Sequence, residues 1–92
     1  MIEFDPEKDA INRQKHKIPL EFGMLVFDGV YIEEEDTRFD YGETRFVAIG
    51  PISDSGDNLL SVTYTWRGAR RRLISVRKAS VSEVRKYRDY YS

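Results

Sequence analysis

Leu59-Leu60-Ser61-Val62-Thr63-Tyr64-Thr65-Trp66, then Arg67-Gly68-Ala69-Arg70, then Arg71-Arg72-Leu73-Ile74-Ser75-Val76-Arg77, is the run from which the architecture follows. Its first part alternates with period two. Leu60, Val62, Tyr64 and Trp66 fall on one face and Ser61, Thr63, Thr65 and Arg67 on the other, the pattern of a strand with one packed and one wet side. Gly68-Ala69 turns the chain. The returning segment sets Ile74 and Val76 against Leu73, Ser75 and Arg77, so a second strand is expected beside the first. Upstream, residues 44–49 make a further strand, separated from residue 59 by Gly50-Pro51 and the turn-rich residues 53–58. Three successive strands form an antiparallel meander. Residues 30–33 add strand propensity and lead into a polar connection, residues 34–42, that carries Phe39 and Tyr41.

Helix signals flank this sheet. Asp5-Pro6-Glu7 is a helix start, with Asp5 as cap, Pro6 in the first turn and Glu7 favoured by the dipole. The helix is expected over residues 6–16, with only a thin apolar stripe from Ala10, Ile11 and Gln14. Ile18-Pro19 interrupts it, because the residue before proline is pushed out of helical space. A second helix is expected from Pro19 to about Asp28-Gly29, its apolar face made by Leu20, Met24, Leu25 and Phe27. Ser80-Val81-Ser82-Glu83 fits a capping box, which predicts a last helix over residues 81–91 held by Val81, Val84, Tyr87 and Tyr91. The order is a strand or extended arm, two N-terminal helices, an antiparallel sheet of about four strands and a short C-terminal helix. That is an α+β domain. With 92 residues, the chain is expected to form one domain over residues 1–92.

The chain has no cysteine and a single histidine, His16, which removes disulfides, thiol catalysis and cysteine- or multi-histidine-ligated metals. Glu33, Glu34, Glu35 and Asp36 are consecutive, but neighbours in an extended chain point to opposite faces and no calcium-loop spacing accompanies them. No metal or other cofactor is expected. The acidic start lacks an apolar run and no stretch reaches membrane-spanning length, so no membrane role is expected and the cytoplasm is the expected location.

The formal net charge of −1 conceals an asymmetry. Residues 1–66 carry 6 basic and 14 acidic side chains, whereas residues 67–92 carry 9 basic and 2 acidic ones. Most of the basic residues in that last quarter are arginines, whose planar fork pairs bidentately with phosphate and stacks on bases. An anionic partner is indicated. The bland alternative is that these arginines neutralise the Glu33 to Asp36 cluster through surface pairs worth only about 0 to 1 kcal/mol each.

Phe4-Asp5, Asn12, Lys15-His16, Val26-Phe27-Asp28, Gly42-Glu43-Thr44-Arg45, Ile49-Gly50, Thr63-Tyr64-Thr65 with Arg67, and Arg72-Leu73-Ile74-Ser75-Val76-Arg77-Lys78-Ala79 followed by Glu83 and Tyr87 occur in an order and spacing that resembles the BrnT toxin family. The likeness runs from about Ile2 to Tyr87. It implies a RelE-like ribonuclease toxin of a type II toxin–antitoxin system, which inhibits translation and growth. It also implies a BrnA-like antitoxin whose dimer gathers two toxins into a heterotetramer and binds operator DNA. Trp66 stands where relatives more often carry a polar residue. Antitoxin contacts are expected on the cationic surface and around Trp66 or Phe39.

RNA carries its own nucleophile, the 2′-hydroxyl, so a metal-independent nuclease must align it, remove its proton and stabilise added negative charge. Arg67 and Arg77, beside Thr65 and Ser75 on the wet face of neighbouring strands, are expected to grip one phosphate together. Arginine stays protonated and is no base. His16 is the candidate base by intrinsic pKa, although a histidine at a helix C-terminus also serves to satisfy the last carbonyls. Tyr87 is placed to stack a base or donate a proton, Tyr64 to pack in the core, and Glu83 to serve the helix cap, with a lesser role as acid or base. Lys15, Arg45, Arg70, Arg72, Lys78 and Arg85 are expected RNA contacts. The competing account is a non-catalytic RNA- or protein-binding subunit of a repressor complex.

Overall fold

The structure, a computed structural model, describes residues 2–38, 40, 42–53 and 58–91. Phe39, Tyr41 and the turn residues 54–57 lie outside the described residues. The elements in chain order are β1 (Ile2–Phe4), α1 (Pro6–His16), a 3-10 turn (Leu20–Phe22), α2 (Gly23–Phe27), β2 (Ile32–Asp36), β3 (Arg45–Pro51), β4 (Leu59–Arg67), β5 (Arg70–Lys78) and α3 (Val81–Tyr91). One sheet has the order β1-β5-β4-β3-β2. The meander β3-β4-β5 is antiparallel as expected, and β2 extends it. The sheet nonetheless has five strands and is mixed, because β1 pairs parallel to β5 with Ile2 opposite Arg71 and Phe4 opposite Leu73.

One sheet face is the core, where Leu20, Val26, Ala48, Leu60, Val62, Tyr64, Leu73 and Val76 pack together. The expected second helix is broken in two. Pro19 is extended (φ −65°, ψ 144°), the 3-10 turn follows, and only five residues are α-helical. Gly23 lies so close to the sheet that a Cβ there would come within 2.9 Å of Leu73 Cδ1, so this segment packs through glycine, Leu20 and Val26. Met24 and Leu25, expected inside, are 46 % and 40 % exposed.

The strand β5 does not alternate as its sequence suggests. Tyr64 pairs with Leu73 but Thr63 pairs with Ser75, which leaves Ile74 as an extra, unpaired residue. This is a β-bulge, and a one-residue slip exchanges the faces of everything beyond it. Leu73, expected on the wet side, is therefore buried, and so is Val76, three residues on. Counted straight out from the Arg67–Arg70 pair at the turn, Arg77 would oppose Leu60 on the core face. With the bulge it opposes Ser61 on the other face.

Asp5 caps α1 as expected, accepting from the Glu7 N–H at 2.9 Å, and Lys17 closes it in left-handed geometry (φ 62°) with its N–H on Arg13 O. The helix is not anchored by its apolar stripe, since Ile11 is 61 % exposed. It is anchored by Asn12, the one buried residue of α1. The Asn12 amide nitrogen donates to Val76 O and Ile18 O, each at 2.7 Å, and its oxygen accepts the Val76 N–H at 3.0 Å. Past Leu73, where β1 ends, the edge of β5 is thus satisfied by a side chain.

On the opposite face α3 crosses the sheet without burying any residue fully. Val81, expected as a contact, is 78 % exposed. The Tyr87 and Tyr91 hydroxyls hold the helix by donating to Val30 O (2.8 Å) and Tyr31 O (3.0 Å).

Asn12→Ala is expected to leave three backbone groups without partners and to lower stability by about 2–4 kcal/mol. Urea unfolding checks this: the midpoint should fall with an unchanged slope.

Candidate active site

Away from the core, β3, β4 and β5 form the floor of a cleft of about 530 Å³. Val47, Ile49, Thr63, Ile74 and Ser75 line the floor, Lys15 and His16 at the end of α1 form one wall, Glu83 and Lys86 of α3 another, and β2 with the residues after it a third. The bulge at Ile74 aims Arg77 into this space.

Arg77 does not stand free. Its Nη1 donates to Glu83 Oε1 at 2.7 Å and its Nη2 to Glu83 Oε2 at 3.0 Å, a fork-on-fork pair, while Nη1 also donates to Lys78 O at 3.2 Å. Glu83 accepts in addition from the Ser80 N–H (2.9 Å) and the Ser61 hydroxyl (3.1 Å). The capping box forms, with the Glu83 N–H donating to Ser80 Oγ at 3.3 Å. Burial pushes the Glu83 carboxyl pKa up, but the hydrogen bonds from Arg77 and Ser80, the Arg77 charge and Ser61 together outweigh it and bring it down to about 2. The sequence assigns Glu83 first to the cap. The same carboxylate also orients the arginine.

His16 lies across the cleft. Its pKa is lowered from the ordinary 6.5 by burial first, then by the charges of Lys15 and Arg77. It is therefore neutral at pH 7 and able to accept a proton. Lys15, His16, Ser75 and Arg77 are brought together by the fold, and Arg45 joins them on the floor of the same cleft.

Other expected site residues lie elsewhere. Arg67 pairs with Arg70 at the β4–β5 turn while Arg77 opposes Ser61, six residues down β4. At about 3.3 Å per residue the two arginines are roughly 20 Å apart, so they do not grip one phosphate. Thr65 is buried and its hydroxyl is spent on Thr44 O at 2.6 Å. Tyr87 is engaged with Val30 O and stacks near Tyr91 with ring centroids 4.9 Å apart, which makes it a strap for α3. Its pKa is raised by burial and then by Tyr91. Arg72 is paired with Glu3 at 2.6 Å and Arg45 with Glu43 at 3.2 Å. Arg70, Lys78 and Arg85 are exposed. Among the described residues, the acidic run meets the last quarter through Lys86 and Glu34. The Arg38 guanidinium and backbone N–H bond Asp36 three times. Among the described residues no group of three His, Asp or Glu side chains is arranged to hold a metal ion.

A family model described as "Ribonuclease toxin, BrnT, of type II toxin-antitoxin system" matches residues 4–83. The crystal structure of the Brucella abortus ribonuclease toxin BrnT is similar over 86 % of this chain and 95 % of that one, with a TM-score of 0.62 and 24 % sequence identity. This likeness shows a shared α+β fold. No curated protein matches the chain.

A carboxyl whose folded pKa is depressed contributes stability that is present above its unfolded value and is lost as pH falls through the folded one. For Glu83 the window runs from 4.5 down to about 2. Acid titration of the melting temperature should show a loss of stability in that window, reduced in Glu83→Gln. An unchanged profile in the variant would mean that the pair contributes nothing.

Proposed function

The chain belongs to the BrnT family of ribonuclease toxins of type II toxin–antitoxin systems, and we propose that it cleaves RNA in the cleft between α1 and α3 without a metal ion. The observation that carries this reading is that Lys15, His16 and an Arg77 oriented by Glu83 line one cleft. His16 takes the proton of a 2′-hydroxyl while that oxygen attacks the adjacent phosphorus. The bond to the 5′-oxygen breaks, Lys15 protonates the leaving oxygen, and a 2′,3′-cyclic phosphate and a 5′-hydroxyl result. Arg77 stabilises the charge that builds on the phosphoryl oxygens. Its bonds to Glu83 and Lys78 O use three of five N–H donors, so two remain for phosphate.

A type II toxin implies an antitoxin partner. We take that partner to be BrnA-like, forming a heterotetramer of two toxins and an antitoxin dimer that alone contacts operator DNA, and we take the RelE-like comparison and a cytoplasmic site of action as parts of the same reading. Among the described residues, no helix is long and apolar enough to cross a membrane. Arg67 and Arg70 are assigned to RNA binding away from the cut, and Thr65 and Tyr87 to structure.

One observation favours a non-catalytic subunit instead. Glu34, Glu35, Asp36 and Glu83 also line the cleft, which makes it mixed in charge. Cleavage decides between the two. Arg77→Ala should slow it by about 10²–10³-fold and His16→Ala by about 10²-fold or more, both without unfolding. Arg67→Ala should leave the chemical step unchanged. EDTA should have no effect, and the rate should rise with pH to a plateau, with its half-point below 6.5. RNA bound but never cut, or cleavage abolished by EDTA and restored by Mg²⁺, would overturn the proposal.

A further inference from the structure

The cleft does not end at α1. Between that helix and the bulge of β5 it continues into a smaller cavity of about 180 Å³, and Lys15, His16, Ile74 and Ser75 line both spaces. The helix side of this extension is one stripe, because Lys8, Ile11, Asn12 and Lys15 recur at i, i+3, i+4 and i+7. Ile11 is 61 % exposed and therefore not held by the core; it forms an apolar wall of the cavity together with Ile74, the residue that the bulge leaves unpaired. The two ends of the cleft differ in charge. Towards β2 it is lined by Glu34, Glu35 and Asp36, whereas the extension along α1 has no carboxylate in its lining. It has two lysines instead, and among the described residues neither Lys8 nor Lys15 has a carboxylate partner. They lie about 10 Å apart along the helix axis. A chain of phosphates laid across Arg77 is thus repelled at the β2 end and drawn along α1 at the other.

We propose that the cavity beside α1 is a nucleobase subsite, in which the base of a nucleotide next to the cut lies between Ile11 and Ile74 while Lys8 holds the phosphate beyond it. The inference rests on the ribonuclease reading and adds to it the path of the substrate. The volume is below the roughly 300–1,000 Å³ of pockets for drug-sized ligands and suits one planar ring system. Buried Asn12 spends both amide hydrogens on Ile18 O and Val76 O, so it cannot donate to a base edge. The pocket therefore holds a base mainly by its faces, with little choice among bases. Anchoring the base there sets its ribose beside His16, which lines both spaces, and so aligns the 2′-hydroxyl for attack.

The test uses the full chain, isotope-labelled at the isoleucine δ1-methyl groups and titrated with a short single-stranded 2′-O-methyl RNA, which lacks the free 2′-hydroxyl and is not cut. Affinity is followed independently by anisotropy of a dye-labelled strand. Ring currents from a bound base should move the Ile11 and Ile74 methyl signals, while those of Ile2 and Ile52, packed against the core, stay in place. Ile11→Ala should weaken binding about tenfold and lower kcat/KM on cleavable RNA by a similar factor. Its urea midpoint should be unchanged, since the side chain is exposed. A fully abasic strand should bind Ile11→Ala and the parent alike. Lys8→Ala should lower the slope of log affinity against log salt by about 0.7. RNA binding with the Ile11 and Ile74 signals unmoved and parental affinity in both variants would overturn the subsite. So would equal movement of those signals by the abasic strand or by poly-L-glutamate, since neither carries a base. If Arg77→Ala still slows cleavage under any of these results, only the subsite falls; if the RNA does not bind at all, both readings fall.

Discussion

A single extra residue in β5 determines what this sheet can do. Without the bulge at Ile74, Arg77 would point into the core, where a guanidinium has no partner and a large desolvation penalty. With it, Arg77 emerges on the open face opposite Ser61, within reach of Glu83 at the start of α3. The carboxylate then does two things at once. It closes the first turn of α3 through Ser80 and fixes the plane of the arginine with a bidentate pair. Backbone register, helix start and site geometry are therefore coupled through one side chain, and any change that slips β5 by a residue dismantles all three.

The second anchor is remote from the proposed chemistry and builds the other wall of the cleft. Asn12 replaces the strand that would otherwise continue along β5, and so brings the end of α1, with Lys15 and His16, over the same cleft from the other side. The cleft is an assembly of helix ends held to a sheet by polar side chains, as suits a small domain whose core occupies the opposite face. Burial and the two neighbouring cations then keep His16 neutral. On the proposed mechanism, the cations that would bind phosphate add to burial in lowering the pKa of the base.

Much of this was legible in the residues. The Asp5 cap and Pro6 mark α1, the Ser80–Glu83 capping box marks α3, and the alternation from Leu60 to Tyr64 marks β4 and its packed side. The Lys15-His16 pair stood out, and the structure places it on the cleft. The bulge was hidden because Leu73-Ile74-Ser75-Val76 is compatible with either register when read alone, and only packing against Val62 and Tyr64 selects one. Asn12 stands in the family pattern, but its anchoring role is hidden because a polar residue on a thinly apolar helix reads as solvent-facing. The separation of Arg67 from Arg77 was in principle countable from the Gly68-Ala69 turn. A shared face does not bring together residues six positions apart along a strand.

On the proposed mechanism Arg77, held by Glu83, contacts the phosphate being cut. Sulfur substitution of one non-bridging oxygen at the scissile phosphate weakens that contact without altering the nucleophile, so the rate ratio of oxygen to sulfur substrate can be compared between the parent chain and Arg77→Ala. The account predicts a substantial ratio in the parent that collapses towards one in the variant. An equal ratio in both would show that Arg77 does not touch the reacting phosphate.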